Sequence, residues 1–385
     1  MDMVFDTEKQ MIIEEIRLFV DREVVPVAHK LEHDDIYPFE LIDKLKTLGI
    51  FSATIPEAYG GLGFDLLTYV QIIEQLSRGW MSLAGIVNTH ILVAYMIAMY
   101  GTEEQRQRFL PVMASGDKRG GICISEANAG SDVQAITMTA KRDGDDYLLN
   151  GSKLWVTNGV YGGIFAVLVR TKTDIQPPHR GMSVFIVEKG TPGMGVSRTF
   201  EKLGYKGVET AELVFDNVRV PAANLLGGIE GEGFIHIMSG LEVGRINVAA
   251  RAVGVAQAAF DDAIKYAQQR STFGKPIAQH QAIQLKLADM ATKIEAARLL
   301  LQRAAQKKDR GERCDLEAGM AKLFASEMCQ EVTLEAMRIY GGFGYTKEFN
   351  VERYYRDAPF MLVGEGTSEI QRLVIARQLL ERYKL

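Results

Sequence analysis

Apolar residues at Met11, Ile12, Ile16 and Phe19 recur at helical spacing and predict an N-terminal helix. Thr7 and Gln10 fit a capping box ahead of it, and Pro26, which has no amide hydrogen, is expected to interrupt it. Pro38 at a first-turn position and Gly49 just past Leu48 bracket a second helix. Thr102 and Gln105 form another capping box before Phe109. Residues 82–100 (SLAGIVNTHILVAYMIAMY) are apolar on every face, which predicts a buried helix.

The period changes around Gly120. Within 147–157 (YLLNGSKLWVT), Asn150-Gly151 between two strand-like runs reads as a two-residue hairpin turn. Further β-rich runs at Phe165–Thr171, Met182–Val187 and Ala211–Val220 suit a small antiparallel domain. From Glu232 the helical period returns in longer stretches, at Gly233–Arg270, Gln279–Lys308, Leu316–Tyr340 and Ser368–Tyr383. Long helices with short connections predict a C-terminal four-helix bundle. The fold class is therefore mainly α with a central antiparallel β domain, divided at 1–120, 121–229 and 230–385.

Composition supports several domains, because 385 residues exceed the size at which one core stops growing, roughly 250–300 residues. Lys and Arg number 44 against 49 Asp and Glu with no basic run, which argues against nucleic acid as a partner. The three cysteines, Cys123, Cys314 and Cys329, form no even set and no CxxC pair, as expected of a reducing compartment. The opening MDMVFDTEKQ lacks the features of a signal or transit peptide, and no stretch is read as reaching the roughly 18–20 charge-free apolar residues of a membrane span. A cytoplasmic protein without membrane insertion is expected.

Several segments could carry chemistry. SEANAGSD at 125–132 exposes backbone amides that can wrap a phosphate or ring edge, or can form an ordinary polar loop. KLWVTNG at 153–159 puts Trp155 and Thr157 on one strand face, suited to a flat heterocycle or to core packing. RSTFGKPIAQHQ at 270–281 sets Arg270 and two hydroxyls at a helix junction, where they could hold a pyrophosphate or cap a helical hairpin. GGFG at 341–344 is a similar glycine-rich break. In VGEGTSEIQRLVIAR at 363–377, Glu365 stands between two glycines just before a helix, open to a ligand or to solvent. His29, Glu32 and His33 spell an inverted zinc signature, but their charged surroundings favour a solvated face, and no metal is expected. Gly228, Gly231 and Gly233 lack the βαβ context of a dinucleotide loop, and no GxSxG elbow occurs.

Taken in order, these segments resemble the acyl-CoA dehydrogenase family over essentially the whole chain. The resemblance implies a helical domain, a β domain and a helical bundle, a tetramer, one FAD per subunit, and an electron-transfer flavoprotein as electron acceptor. Ile122, Ile124, Ser125 and Ser131 match the loop at the flavin and the thioester, with Ala127-Asn128 where Pro-Gly is usual. Trp155 is implied to lie against the flavin and Thr157 to bond near its N5. Arg270, Thr272, Phe273, Gln281, Arg338, Gly341 and Gly342 are implied to reach a neighbouring subunit's FAD, Arg338 standing where Gln is usual.

Glu365 matches the family's base, followed by Gly366, Thr367 and Glu369 in the substrate and flavin turn, and Arg245 matches an arginine near the active site. Some members carry the base at the position of Gly244, and several carry Tyr at that of Gly364. The implied reaction is α,β-dehydrogenation of an acyl-CoA thioester, with Glu365 as α-proton base. The thioester carbonyl would be held by the Glu365 amide and a flavin hydroxyl. Variant chemistries on the same fold, an oxidase or a desulfinase, stand beside it, as does a non-catalytic scaffold. Leu92, Tyr95, Met96 and Met99 are candidates to line an acyl pocket or to pack the core.

Overall fold

The computed structural model describes residues 7–384. Helices α1 (Thr7–Phe19) and α2 (Val25–His33) run into each other through a π-helical turn at Val20–Val24, so Pro26, contrary to expectation, does not end the helix; the widened turn just before it accommodates the missing amide hydrogen. The Thr7 side chain, and with it the Thr7–Gln10 box, lies outside the description. Pro38 caps α3 (Phe39–Thr47), and Gly49 follows it with a φ of 71°. Helices α4 (Leu66–Tyr100) and α5 (Glu103–Ala114) complete this part, and α5 carries the expected box, its two bonds 3.3 and 3.0 Å long.

Helix α4 is the spine of the molecule. No Asp, Glu, Lys or Arg occurs between Arg78 and Glu103, so one segment does reach membrane-span length, contrary to expectation. Its most apolar window is 89% buried inside the protein. Asp309 accepts the amide hydrogens of Leu66 and Leu67 at 2.6 and 3.0 Å, satisfying donors that a helix start leaves open. Trp80 leaves the helical conformation, and a Cβ at Gly79 would lie 2.6 Å from Val20. The kink lets the π-helical turn pack directly on α4.

The sheet contains β1 (Gly120–Cys123), β2 (Thr139–Asp143), β3 (Asp146–Thr157), β4 (Ile164–Arg170), β5 (Met182–Glu188), β6 (Met194–Thr199) and β7 (Thr210–Pro221). Its order is β1-β4-β2-β3-β7-β6, with β5 also on β4. Most pairings are antiparallel as expected; β4 runs parallel to β1 and β2, because the β2–β3 hairpin intervenes before the chain returns beside β1. Asn150-Gly151 is not a turn. It lies inside β3 at a register shift, where Gly151 has a φ of 143° and a Cβ would meet Met138 at 2.8 Å. The hairpin turns at Gly144-Asp145 instead, between paired Asp143 and Asp146.

Helices α6 (Gly233–Gln269), α7 (Gln281–Asp309), α8 (Asp315–Tyr340) and α10 (Ser368–Arg382) match the predicted long helices. Small residues let them approach closely; a Cβ at Gly254 of α6 would lie 2.3 Å from the Glu74 carbonyl oxygen of α4. An additional helix, α9 (Val351–Val363), was not expected, and Pro359 inside it obscures its periodicity.

Helix α9 also overturns the solvated reading of His29, Glu32 and His33. Glu32 is fully buried and accepts two bonds from Arg356 at 2.5 and 2.8 Å. His33 meets Glu352 at 2.7 Å, and His29 donates to the Lys347 carbonyl at 2.6 Å. The motif is an ionic seam between α2 and α9. Beside it, buried Asp357 accepts the Tyr205 amide hydrogen at 2.6 Å, tying α9 to the loop between β6 and β7.

Burial raises the Asp357 pKa from 3.8 to about 7, with Glu32 adding to the rise. A folded pKa above the unfolded one contributes stability that is complete at low pH and lost as pH rises through about 7. Asp357→Asn keeps an oxygen for the Tyr205 amide and cannot ionise. Its melting temperature relative to the wild type should therefore climb between about pH 4 and about pH 7; a difference that does not change with pH would contradict this.

Candidate active site

Glu365 sits in the tight turn between α9 and α10. Its φ is 54°, a region costly for a residue with a side chain, and Gly366 follows at 94°. Thr367 caps α10 by accepting from the Ile370 amide at 3.3 Å, and Gln371 donates to the Gly366 carbonyl at 3.1 Å. A Cβ at Gly366 would lie 2.6 Å from Gln371, and a Cβ at Gly364 would lie 2.8 Å from the Phe360 ring. The glycines thus turn the carboxylate inward; its side chain is 16% exposed.

One oxygen, Oε1, accepts from Asn88 Nδ2 of α4 at 2.6 Å and from Arg251 Nη2 of α6 at 3.0 Å. The other, Oε2, is buried without a protein partner. A Cβ at Gly244 would lie 1.9 Å from Oε2, so the missing side chain at that position is the space the carboxylate occupies. Burial raises the Glu365 pKa above the ordinary carboxylate range, opposed by Arg251, Asn88, Lys322 and Arg245.

The surroundings are cationic and enclosed. Arg251 is 1% exposed, its guanidinium 5.2 and 5.9 Å from the centres of the Phe360 and Tyr205 rings, which stack on each other. Arg245 is buried, and its Nε has no partner. Lys322 of α8 is fully buried and reaches the Leu362 carbonyl at 3.4 Å; burial takes its pKa down to about 8 against the pull of Glu365. Leu92 packs beside the Gly244 position and Met96 beside Gly240, while Tyr95 meets Ser239 at 3.2 Å. Met99 is exposed and lines nothing there.

A second group gathers on the β domain. Glu126 pairs with fully buried Lys153 at 2.8 Å and accepts the amides of Thr137 and Met138 at 2.6 and 3.0 Å. Lys153 also donates to the Ile124 carbonyl at 2.9 Å, and the Leu154 amide donates to the Ser125 carbonyl at 2.9 Å. These bonds staple the Ile122–Ser131 loop to β3. Ala127-Asn128 form the tip of a turn closed by reciprocal Glu126–Ala129 backbone bonds, and Ser131 is exposed beyond it.

Trp155 rides a bulge in β3 with a φ of 62°, is 58% exposed, and packs on Phe200 with ring centres 4.3 Å apart. Thr157 lies on the same, less buried side and touches Tyr205. An open indole, a hydroxyl and a backbone-rich loop fit the edge and face of a flat ring system such as a flavin. Tyr205 connects this platform to the carboxylate, since its ring lies against Arg251 and its hydroxyl fills the space beside Gly85 of α4.

A third group is separate and faces outward. Arg270 ends α6 before a small hairpin of β8 (Ser271–Thr272) and β9 (Lys275–Pro276), with Phe273 at its tip, 97% exposed. Thr272 meets His280 at 3.4 Å, and Gln281 is exposed at the start of α7. Arg338 is exposed and ion-paired with Glu335, and Gly341 and Gly342 have open space where a side chain would be. Glu369 is exposed on the first turn of α10.

Sequence reasoning missed Asn88, Arg251, Tyr205, Lys322, Glu126 and Lys153. A signal existed for two of them: Arg251 in VAARAVG and Lys322 in GMAKLF are lone charges amid small apolar residues, the mark of a buried cation.

The site thus sets a buried carboxylate, one of whose oxygens has no protein partner, near an open indole and hydroxyl on the sheet, within a helix–sheet–helix frame. Residues 6–117, 121–218 and 231–380 match the N-terminal, middle and C-terminal domain models of acyl-CoA dehydrogenase. The chain is 45% identical to an acyl-CoA dehydrogenase of Bacillus subtilis, covering 97% of this chain and 98% of that one.

Butyryl-CoA dehydrogenase from Megasphaera elsdenii superimposes with a TM-score of 0.96 at 40% identity, covering 99% of this chain and 100% of that one. A chain from a structure of the electron transferring flavoprotein of Acidaminococcus fermentans gives the same TM-score of 0.96, identity of 40% and coverage of 99% and 100%. The chain belongs to the acyl-CoA dehydrogenase family, FAD flavoproteins that act on CH–CH bonds.

Proposed function

We propose that this protein oxidises an acyl-CoA thioester to the 2-enoyl-CoA, with Glu365 as the base that removes the α proton, and passes the electrons to an electron-transfer flavoprotein. The observation that carries this is Glu365 Oε2, a buried carboxylate oxygen with no protein partner, in the space left by Gly244.

The thioester's α proton becomes removable when its carbonyl oxygen is polarised by hydrogen bonds. The Glu365 backbone amide is the donor proposed on this chain. FAD, when bound, supplies the two-electron acceptor for the hydride that leaves the β carbon. Trp155, Thr157, Ile122, Ile124, Ser125 and Ser131 would hold it on one side, with Gly366, Thr367 and Glu369 at the turn. Burial raises the Glu365 pKa, and substrate binding would raise it further by expelling water, bringing the base nearer to neutral pH.

Arg270, Thr272, Phe273, Gln281, Arg338, Gly341 and Gly342 face away from this centre, which supports the reading that they serve a neighbouring subunit's FAD in a tetramer. The nearly naked Phe273 ring is the kind of apolar surface that an interface covers. Three buried free thiols agree with a reducing, cytoplasmic setting.

The test is a panel of CoA thioesters, straight and branched, added anaerobically to the purified protein. At least one should bleach the yellow flavin and yield its 2-enoyl product, and admission of air should restore the colour slowly. Absence of bleaching by every thioester would overturn the proposal, and rapid reoxidation with peroxide would replace it with an oxidase.

A further inference from the structure

Arg251 is among the most completely buried large side chains, in a stretch of α6 (VAARAVG) otherwise built of small apolar residues, and its Nη2 bonds to Glu365 Oε1 at 3.0 Å. Its Nε has no partner, so the guanidinium is not held by a network of its own. Tyr205 and Phe360 enclose it, and Tyr205 is fixed in turn by the hydrogen bond its backbone amide donates to Asp357. Asn88 reaches the same Oε1 from the opposite helix at 2.6 Å. Two donors from two helices thus converge on one oxygen of the carboxylate and leave the other bare.

We propose that Arg251, with Asn88, is a positioning clamp for the base: it fixes Oε1, leaves Oε2 as the oxygen offered to the substrate, and keeps the carboxylate ionised. This rests on the reading of Glu365 as base. An ammonium or guanidinium within hydrogen-bond distance stabilises the ionised form. Burial acts in the opposite direction, so the clamp sets how far that base titrates toward neutral pH.

The groups facing Glu365 are few. Asn88 and Tyr69 come from α4, Arg245 and Arg251 from α6, Lys322 from α8 and Tyr205 from the β6–β7 loop. Arg251 is the cation bonded to it, and among the opposing influences it is the largest. Without Arg251 the base would hold its proton to higher pH.

The experiment is the pH profile of kcat and kcat/KM for the FAD-loaded wild type, Arg251→Gln, Arg251→Lys and Asn88→Ser. For Arg251→Gln the acid limb should move up by about one pH unit or more, so that the rate falls about tenfold on the acid side and recovers toward wild type in alkali. KM should change little. Arg251→Lys should restore much of the limb's position, because it restores the charge. Asn88→Ser should lower kcat with a smaller displacement, since the cation remains.

An Arg251→Gln limb at the wild-type position, or a loss equal at all pH values, would overturn the clamp. If Arg251→Gln does not retain flavin, the Asn88→Ser and Arg251→Lys profiles decide: unchanged kcat and unchanged limbs in both would overturn it. Glu365→Gln, assayed in parallel, separates the two readings. Activity in that variant defeats the base assignment itself, whereas its silence together with an unmoved Arg251→Gln profile defeats only the clamp.

Discussion

Glu365→Gln should lower turnover by about 10²–10⁴-fold, the usual worth of a positioned base, while the protein keeps its flavin and its affinity for thioester. The amide has the shape of the carboxylate and can still accept from Asn88 and Arg251 through its oxygen, so the turn between α9 and α10 should survive. What it loses is a lone pair basic enough to take a proton. The measurements are steady-state turnover with an artificial electron acceptor, the flavin spectrum, and thioester binding by spectral perturbation. Near-normal turnover would remove Glu365 from its role.

Gly244→Ala should be nearly as damaging, although it adds a single methyl group on α6, outside the turn that carries Glu365. The new carbon would lie 1.9 Å from Oε2 and 3.3 Å from Leu92, so the carboxylate must leave the place where substrate would meet it. Overpacking of this kind costs about 1–3 kcal/mol in stability, which a folded domain survives, but it strikes the reacting oxygen directly. A displacement of about 1 Å at a reacting group can cost about 10²-fold in rate. Flavin retention with kcat reduced to that extent is the expected outcome. Wild-type kcat would mean that the working carboxylate lies elsewhere.

Much of this frame can be read from periodicity. The long helices and the Thr102–Gln105 box follow from patterns that nothing in tertiary structure opposes. The failures have physical causes. Asn150-Gly151 has hairpin composition, yet Gly151 serves a bulge that accommodates Met138, a requirement set by the residue just before β2. Pro359 disguised α9, and the charges of His29, Glu32 and His33 look solvated only until α9 supplies Arg356 and Glu352.

The same division holds at the site. Glu365 stands out because glycines flank it and a helix follows. Asn88, Tyr205 and Lys322 come from distant stretches of chain and meet it only through the fold. Even Gly244, which is legible as a missing side chain, gains its meaning from an oxygen more than a hundred residues away in sequence.

The central claim is that Glu365 removes the α proton, and hydrogen exchange at that carbon tests it without requiring oxidation. A CoA thioester deuterated at the α carbon, with sulfur in place of the β carbon so that no hydride can leave, is incubated with the flavin-loaded protein and followed by mass spectrometry. The wild type should wash deuterium into water, and Glu365→Gln should bind the same thioester and retain the label. Exchange in Glu365→Gln at the wild-type rate would contradict the claim.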